Sequence, residues 1–139
     1  MDDSEAPGPL ALDLAADVPP LVLVRRWAAD ALADLTDDEL GDCVLVVTEL
    51  VANAYDHGCV PRRVLLRRSV DPCVVHIEVE DGSSREPTLG KSRLGPQRGR
   101  GLVIVDRLSK EWGTVRHAGG KTVWAQVPCA PPAWDRSAA

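Results

Sequence analysis

Three side chains in one stretch, Glu49, Asn53 and Asp56, could take a proton or hold a cation. Their offsets of four and seven residues put them on one stripe of a helix, away from Val47, Val51 and Ala54. Taken alone, such a stripe also describes the wet side of any amphipathic helix. A second acid, Asp81, ends the run Val75-His76-Ile77-Glu78-Val79-Glu80-Asp81 and is followed by Gly82. Strand parity puts Asp81 on the same face as Val75, Ile77 and Val79, so its carboxylate should be buried and in need of a donor. The adenine amino group suits a fixed carboxylate, whereas guanine offers an acceptor at the same place. The third feature is Gly99-Arg100-Gly101-Leu102 leading into a helix, with Arg93 and Arg98 nearby. Backbone N–H groups at a helix start bind phosphate, and glycines allow close approach.

The elements that must position these groups follow from pattern. Leu10, Leu12 and Leu14 alternate as in a short strand, and Pro19-Pro20 opens a helix reaching about Leu35. Thr36-Asp37-Asp38-Glu39 is a capping box ahead of apolar residues at Leu40, Cys43, Val44, Val47, Leu50, Val51 and Ala54. That long helix should end at Gly58. Residues 64–68 and 73–80 read as two strands joined at Asp71-Pro72. Residues 82–98, rich in Ser, Thr, Gly and Pro, read as a loop of the kind that covers a site. A helix over 101–110 and strands over 111–117 and 121–127, meeting at Ala118-Gly119-Gly120, complete the order. This order predicts a two-layer α/β sandwich: a largely antiparallel, mixed sheet with helices on one face.

The chain has 139 residues, enough for one domain over 10–128 with tails at 1–9 and 129–139 that carry no periodicity. No apolar stretch approaches the length of a membrane span, and the acidic start Met1-Asp2-Asp3-Ser4-Glu5 is unlike an export signal, which together predict a cytoplasmic protein. Cys43, Cys59, Cys73 and Cys129 form no C-x-x-C pair, so ordinary thiols are expected rather than a zinc site. Acids crowd the chain before Cys43 and bases the stretch 62–116, with a net charge of -5. Overall acidity without an aromatic-basic stripe argues against nucleic acid, while the basic centre could face phosphates or an acidic protein.

Together, Glu49-Leu-Val-Ala-Asn53-Ala-Tyr-Asp-His57-Gly58, Val79-Glu-Asp81-Gly82, Gly99-Arg-Gly101-Leu102 and Gly120-Lys-Thr122 resemble the superfamily of gyrase, heat-shock ATPase chaperones, histidine kinases and mismatch-repair ATPases. The resemblance spans residues 10–128 and is nearest the anti-sigma-factor serine/threonine kinases of Gram-positive bacteria. It implies the histidine-kinase-like (Bergerat) ATP-binding fold, with ATP and Mg²⁺ as cofactors. By the same resemblance Glu49 would be the general base and Asn53 the Mg²⁺ ligand. Asp81, with Gly82, would receive adenine, supported by Thr122, and Arg98, Gly99, Arg100, Gly101 and Leu102 would wrap the phosphates. The implied partners are a sigma factor and a STAS-type anti-anti-sigma protein, with a possible homodimer through the first strand and helix. Three features depart from the pattern. After Asp81 the chain reads Gly82-Ser83-Ser84-Arg85 where the family has D-x-G-x-G, the loop to Gly99 is short for a nucleotide lid, and Thr122 shares parity with Trp124 and Gln126. The first departure keeps a second reading open, a nucleotide-binding interaction module without turnover.

Overall fold

A computed structural model describes residues 9–14, 17–83 and 96–130, with the side chains of 96–101 left out. The order is β1 (Leu10–Leu14), α1 (Leu21–Ala31), α2 (Asp37–His57), β2 (Arg62–Val70), β3 (Cys73–Asp81), α3 (Pro96–Leu108), β4 (Glu111–His117) and β5 (Gly120–Pro128). The five strands form one sheet in the order β1-β2-β3-β5-β4, and each neighbouring pair is antiparallel. The three helices cover one face, which gives the two-layer sandwich that the element order predicts.

Alternation along the strands decides which side chains meet the helices. Val64 and Leu66 of β2, Val75, Ile77 and Val79 of β3, and Val123, Ala125 and Val127 of β5 are buried against Val24, Val46, Val47, Leu50, Val51 and Val105. β-Branched residues suit this half-covered pleated surface, and their burial drives the two layers together. The opposite parity, including His76, Glu78, Glu80, Thr122, Trp124 and Gln126, lies on the sheet's other face.

α2 begins where the capping box places it. Thr36 Oγ1 accepts from the Glu39 N–H at 3.2 Å, and Glu39 Oε1 accepts from the Thr36 N–H at 3.1 Å. Asp37, Asp38 and Glu39 also favour the positive N-terminal end of the helix dipole. α1 stops at Ala31 rather than near Leu35, although Leu32 and Leu35 remain buried in the following turn. Their apolar spacing outlasts the helix, which is why the pattern overstates its length.

Two other elements differ from expectation. β2 runs from Arg62 to Val70, longer than 64–68, because its antiparallel partner β3 offers a ladder out to the Asp71-Pro72 turn. α3 starts at Pro96, so Gly99 to Gly101 lie within its first turns instead of forming a bend before it. Proline is well suited to a first helical position, since its missing N–H would have no intrahelical partner there. The 82–98 loop falls largely on residues 84–95, outside those described.

The cysteines also correct the sequence reading. Cys73, at the start of β3, and Cys129, just past β5, form a disulfide with a Cα–Cα distance of 5.1 Å. Their strands are neighbours, and the Cys129 N–H donates to the Cys73 carbonyl at 3.0 Å. Widely spaced cysteines gave no hint of this pairing because strand adjacency, not sequence spacing, brings them together. Cys43 is a buried thiol pushed up to about 12 by burial and then by Asp42 and Glu39, while Cys59 is exposed. No helix among the described residues is long and apolar enough to cross a membrane.

Candidate functional site

The C-terminal half of α2 is the element that carries the polar stripe, and it is not a solvated face. Asn53 is 8% exposed and Asp56 4%, while Glu49 is half-buried. α2 packs against α1, α3 and the sheet, and this covering takes the stripe out of bulk water. Among the described residues the Asn53 Nδ2 has no hydrogen-bond partner. A buried amide left open in this way costs free energy unless something outside the described residues completes it. His57 Nε2 lies 3.3 Å from Asp56 Oδ2, both groups buried, so these two pair at the helix end.

That end is anchored by Arg62 at the start of β2. Its Nε donates to the Ala54 carbonyl at 2.9 Å and its Nη2 to the Gly58 carbonyl at 3.0 Å, and its guanidinium stacks 4.2 Å above the Tyr55 ring. A cation here answers the last carbonyls of α2 and the negative end of its dipole.

Asp81 meets this helix end directly. Its carboxylate sits so close to Gly58 that a Cβ there would lie 2.5 Å from Asp81 Cγ. On the other side, Gly120 has φ +148° and would place a Cβ 1.9 Å from the Asp81 carbonyl oxygen. Glycine at both positions is what lets helix, strand and hairpin converge on one acid. Parity reads correctly here: Asp81 is 3% exposed, on the helix-facing side of β3.

The donors to Asp81 were not foreseen. Its Oδ1 accepts the Ser83 N–H at 2.7 Å, a local turn made by the aspartate itself. Lys121, directly opposite in the β3–β5 register and 0% exposed, donates to Oδ1 at 3.3 Å and stands 3.1 Å from Oδ2. Thr122, the residue expected to support adenine, points to the sheet's other face, where its Oγ1 is 3.2 Å from His117 Nε2. The structure thus brings Lys121, not Thr122, to Asp81. Lys121 shares parity with Val123, Ala125 and Val127, and that was the signal available in the sequence.

Of the remaining expected site residues, Gly82 lies against the β2 approach, its N–H donating to the Cys59 carbonyl at 2.7 Å. Leu102 is buried in the core at the seventh position of α3, so its N–H belongs to the helix ladder and it does not wrap phosphate as expected. Gly99 and Gly101 are placed as helical backbone, and the side chains of Arg98 and Arg100 lie outside the described set, as does Arg93. Among the described residues no cluster of three or more His, Cys, Asp or Glu could hold a metal on its own. A Mg²⁺ carried mainly by phosphates and water needs only one or two protein oxygens, and Asn53 Oδ1 is an oxygen of that kind, while the open Nδ2 is a donor suited to a phosphate oxygen.

This fold, with a buried acid at a strand end beside the polar side of a helix, defines a nucleotide-binding class of two-layer domain. The model of the histidine kinase-like ATPase domain matches residues 14–127, and the chain belongs to this family. Domains of this family bind ATP, and membership brings that ligand class to this chain. Among solved structures, the chain is similar to the RsbU and RsbW domains of Rv1364c from Mycobacterium tuberculosis. There the TM-score is 0.66 and the identity 23%, over 91% of this chain and 33% of that one. It is also similar to the blue-light activated histidine kinase EL346 of Erythrobacter litoralis, with a TM-score of 0.51 and 26% identity over 70% and 32% of the two chains. The chain spans about a third of the length of these structures. No curated protein matches it.

Proposed function

We propose that this chain is an ATP-binding regulator that transfers phosphate to a serine or threonine of an anti-anti-sigma antagonist of STAS type and sequesters a sigma factor. The observation that carries this reading is the buried amide of Asn53, its Nδ2 donor unmatched among the described residues, one turn beyond Glu49 on a helix whose end rests on Asp81. Glu49 is the base that accepts the proton of the attacking hydroxyl, a role worth about a hundred- to ten-thousand-fold in rate. Asn53 would hold Mg²⁺, whose chemistry is to bridge the nucleotide phosphates and offset their charge. The first turn of α3, as far as Gly99, offers backbone N–H groups to the phosphates, and Arg98 and Arg100 offer charge. A cytoplasmic setting and pairing of two copies belong to the same reading. The outer position of β1 among the described strands and the exposed Leu10, Val22 and Leu23 favour such pairing.

The test is phosphoryl transfer from ATP with Mg²⁺ to a STAS-type antagonist, read as phosphoserine or phosphothreonine. Glu49→Gln should reduce the rate at least about a hundred-fold, and transfer at the wild-type rate would remove Glu49 from the role. Asn53→Ala should weaken ATP binding with Mg²⁺ present and change it little without. A second reading, a nucleotide-binding interaction module with little turnover, is favoured by the lysine and turn N–H already bound to Asp81. Tight ATP binding without transfer to any antagonist would select it.

A further inference from the structure

Asp81 and Lys121 each leave a polar position open. Both side chains are 0% exposed, and the β3–β5 register holds them opposite one another. Oδ1 is occupied by the Ser83 N–H and the ammonium. Oδ2 stands 3.1 Å from Nζ as an ion-pair contact, yet it accepts no hydrogen bond. An ammonium has three N–H groups, and among the described residues Asp81 is the acceptor it reaches, through one bond of 3.3 Å. One acceptor and at least one donor are therefore open side by side in a buried place. Leaving both unmatched is costly, and a ligand edge that supplies a donor and an acceptor together would match them.

Building on the nucleotide-binding reading, we infer that Lys121 is a specificity-determining residue that lets the site accept guanine nucleotides about as well as adenine nucleotides. A lone carboxylate separates the two bases, because it accepts from the adenine amino group and repels the guanine O6. With an ammonium beside the carboxylate, each base finds both partners. Adenine donates its amino N–H to Asp81 and accepts from Lys121 at N1. Guanine donates its N1–H to Asp81 and accepts from Lys121 at O6. The two purines carry the same donor–acceptor couple in opposite order, so the base must turn over in the site for one to replace the other. Thr122 cannot take over this position, since its hydroxyl is turned to the other face of the sheet.

The experiment is calorimetric titration of the full chain with ADP and with GDP, each with Mg²⁺, for wild type and Lys121→Thr. The wild-type dissociation constants should agree within about ten-fold, and the variant should widen the preference for ADP by about ten-fold or more, since removing a buried donor penalises the base that needs it. A wild-type preference for ADP of ten-fold or more overturns the role of Lys121 and leaves nucleotide binding intact, as does an unchanged ratio in a folded variant. Binding of neither nucleotide by wild type overturns the nucleotide reading and this inference with it. If Lys121→Thr does not fold, the wild-type ratio alone decides.

Discussion

The β3–β5 ladder is fastened at both ends, by opposite means. At one end the Cys73–Cys129 disulfide follows the register one step past Val74 and Pro128, and at the other Asp81 faces Lys121. The covalent end lies away from the polar end of α2 and asks nothing of its surroundings. The ionic end is buried, is flanked by Gly58 and Gly120, and retains open hydrogen-bonding positions. A covalent tie stabilises chiefly by restricting the unfolded chain, whereas a buried ion pair balances a large desolvation cost against its attraction. One end therefore supplies stability, and on the proposed reading the other supplies recognition at some cost in stability.

The largest effect should come from splitting the ionic end. Lys121→Met leaves a buried carboxylate without its counter-charge and should cost about 3–5 kcal/mol in urea unfolding. Adding Asp81→Leu to it should recover most of that loss, since an apolar pair avoids the desolvation penalty. A cost below about 1 kcal/mol for Lys121→Met would show a pair accessible to water and erase the contrast between the two ends. Opening the covalent end should cost about 2–4 kcal/mol, by reduction or by Cys73→Ser with Cys129→Ser. The nucleotide affinity of the reduced protein should match that of the oxidised one, because this end takes no part in recognition. Affinity that falls on reduction would make the two ends a single coupled device.

Gly58→Ala should cost about 1–3 kcal/mol, since the added methyl must displace either the Asp81 carboxylate or the end of α2. Its nucleotide affinity should fall more than its stability would suggest, in contrast to the disulfide variants. The smallest effect concerns His76, between the two ends on the sheet's other face and 3.2 Å from Ser69 Oγ. Burial, with Arg67 adding to it, lowers this histidine below its ordinary 6.5. A group lowered on folding contributes stability that is present above the unfolded value and is lost as pH falls through the folded one. Stability should thus decline slightly on acidification below about 6.5, and His76→Gln should remove that part of the decline in pH-dependent thermal melts.

Local pattern carried much of this architecture. The capping box fixed the start of α2, alternation set Asp81 on the helix-facing side of β3, and the turns at Asp71-Pro72 and Ala118-Gly119 separate the strands as expected. What local pattern could not supply was which residue of one element stands opposite which of another. The Lys121 pair and the Cys73–Cys129 bond both depend on β5 returning to lie beside β3 after a crossover through α3. Thr122 was linked to the site by resemblance, although its own parity pointed away. The start of α3 was misplaced because glycines read as a bend, while Pro96 upstream was the better marker of a first turn.

Glu39 joins two distant parts of the chain. One oxygen completes the cap of α2, and the other accepts the N–H of Ala130 at the far end of the sheet. A force on the polypeptide beyond residue 130 would act on the first turn of the helix that bears Glu49 and Asn53. Any segment attached there has a mechanical lever on these two side chains, and tension or release along that tether would be felt about 15 to 21 Å away through a rigid rod of ten to fourteen residues.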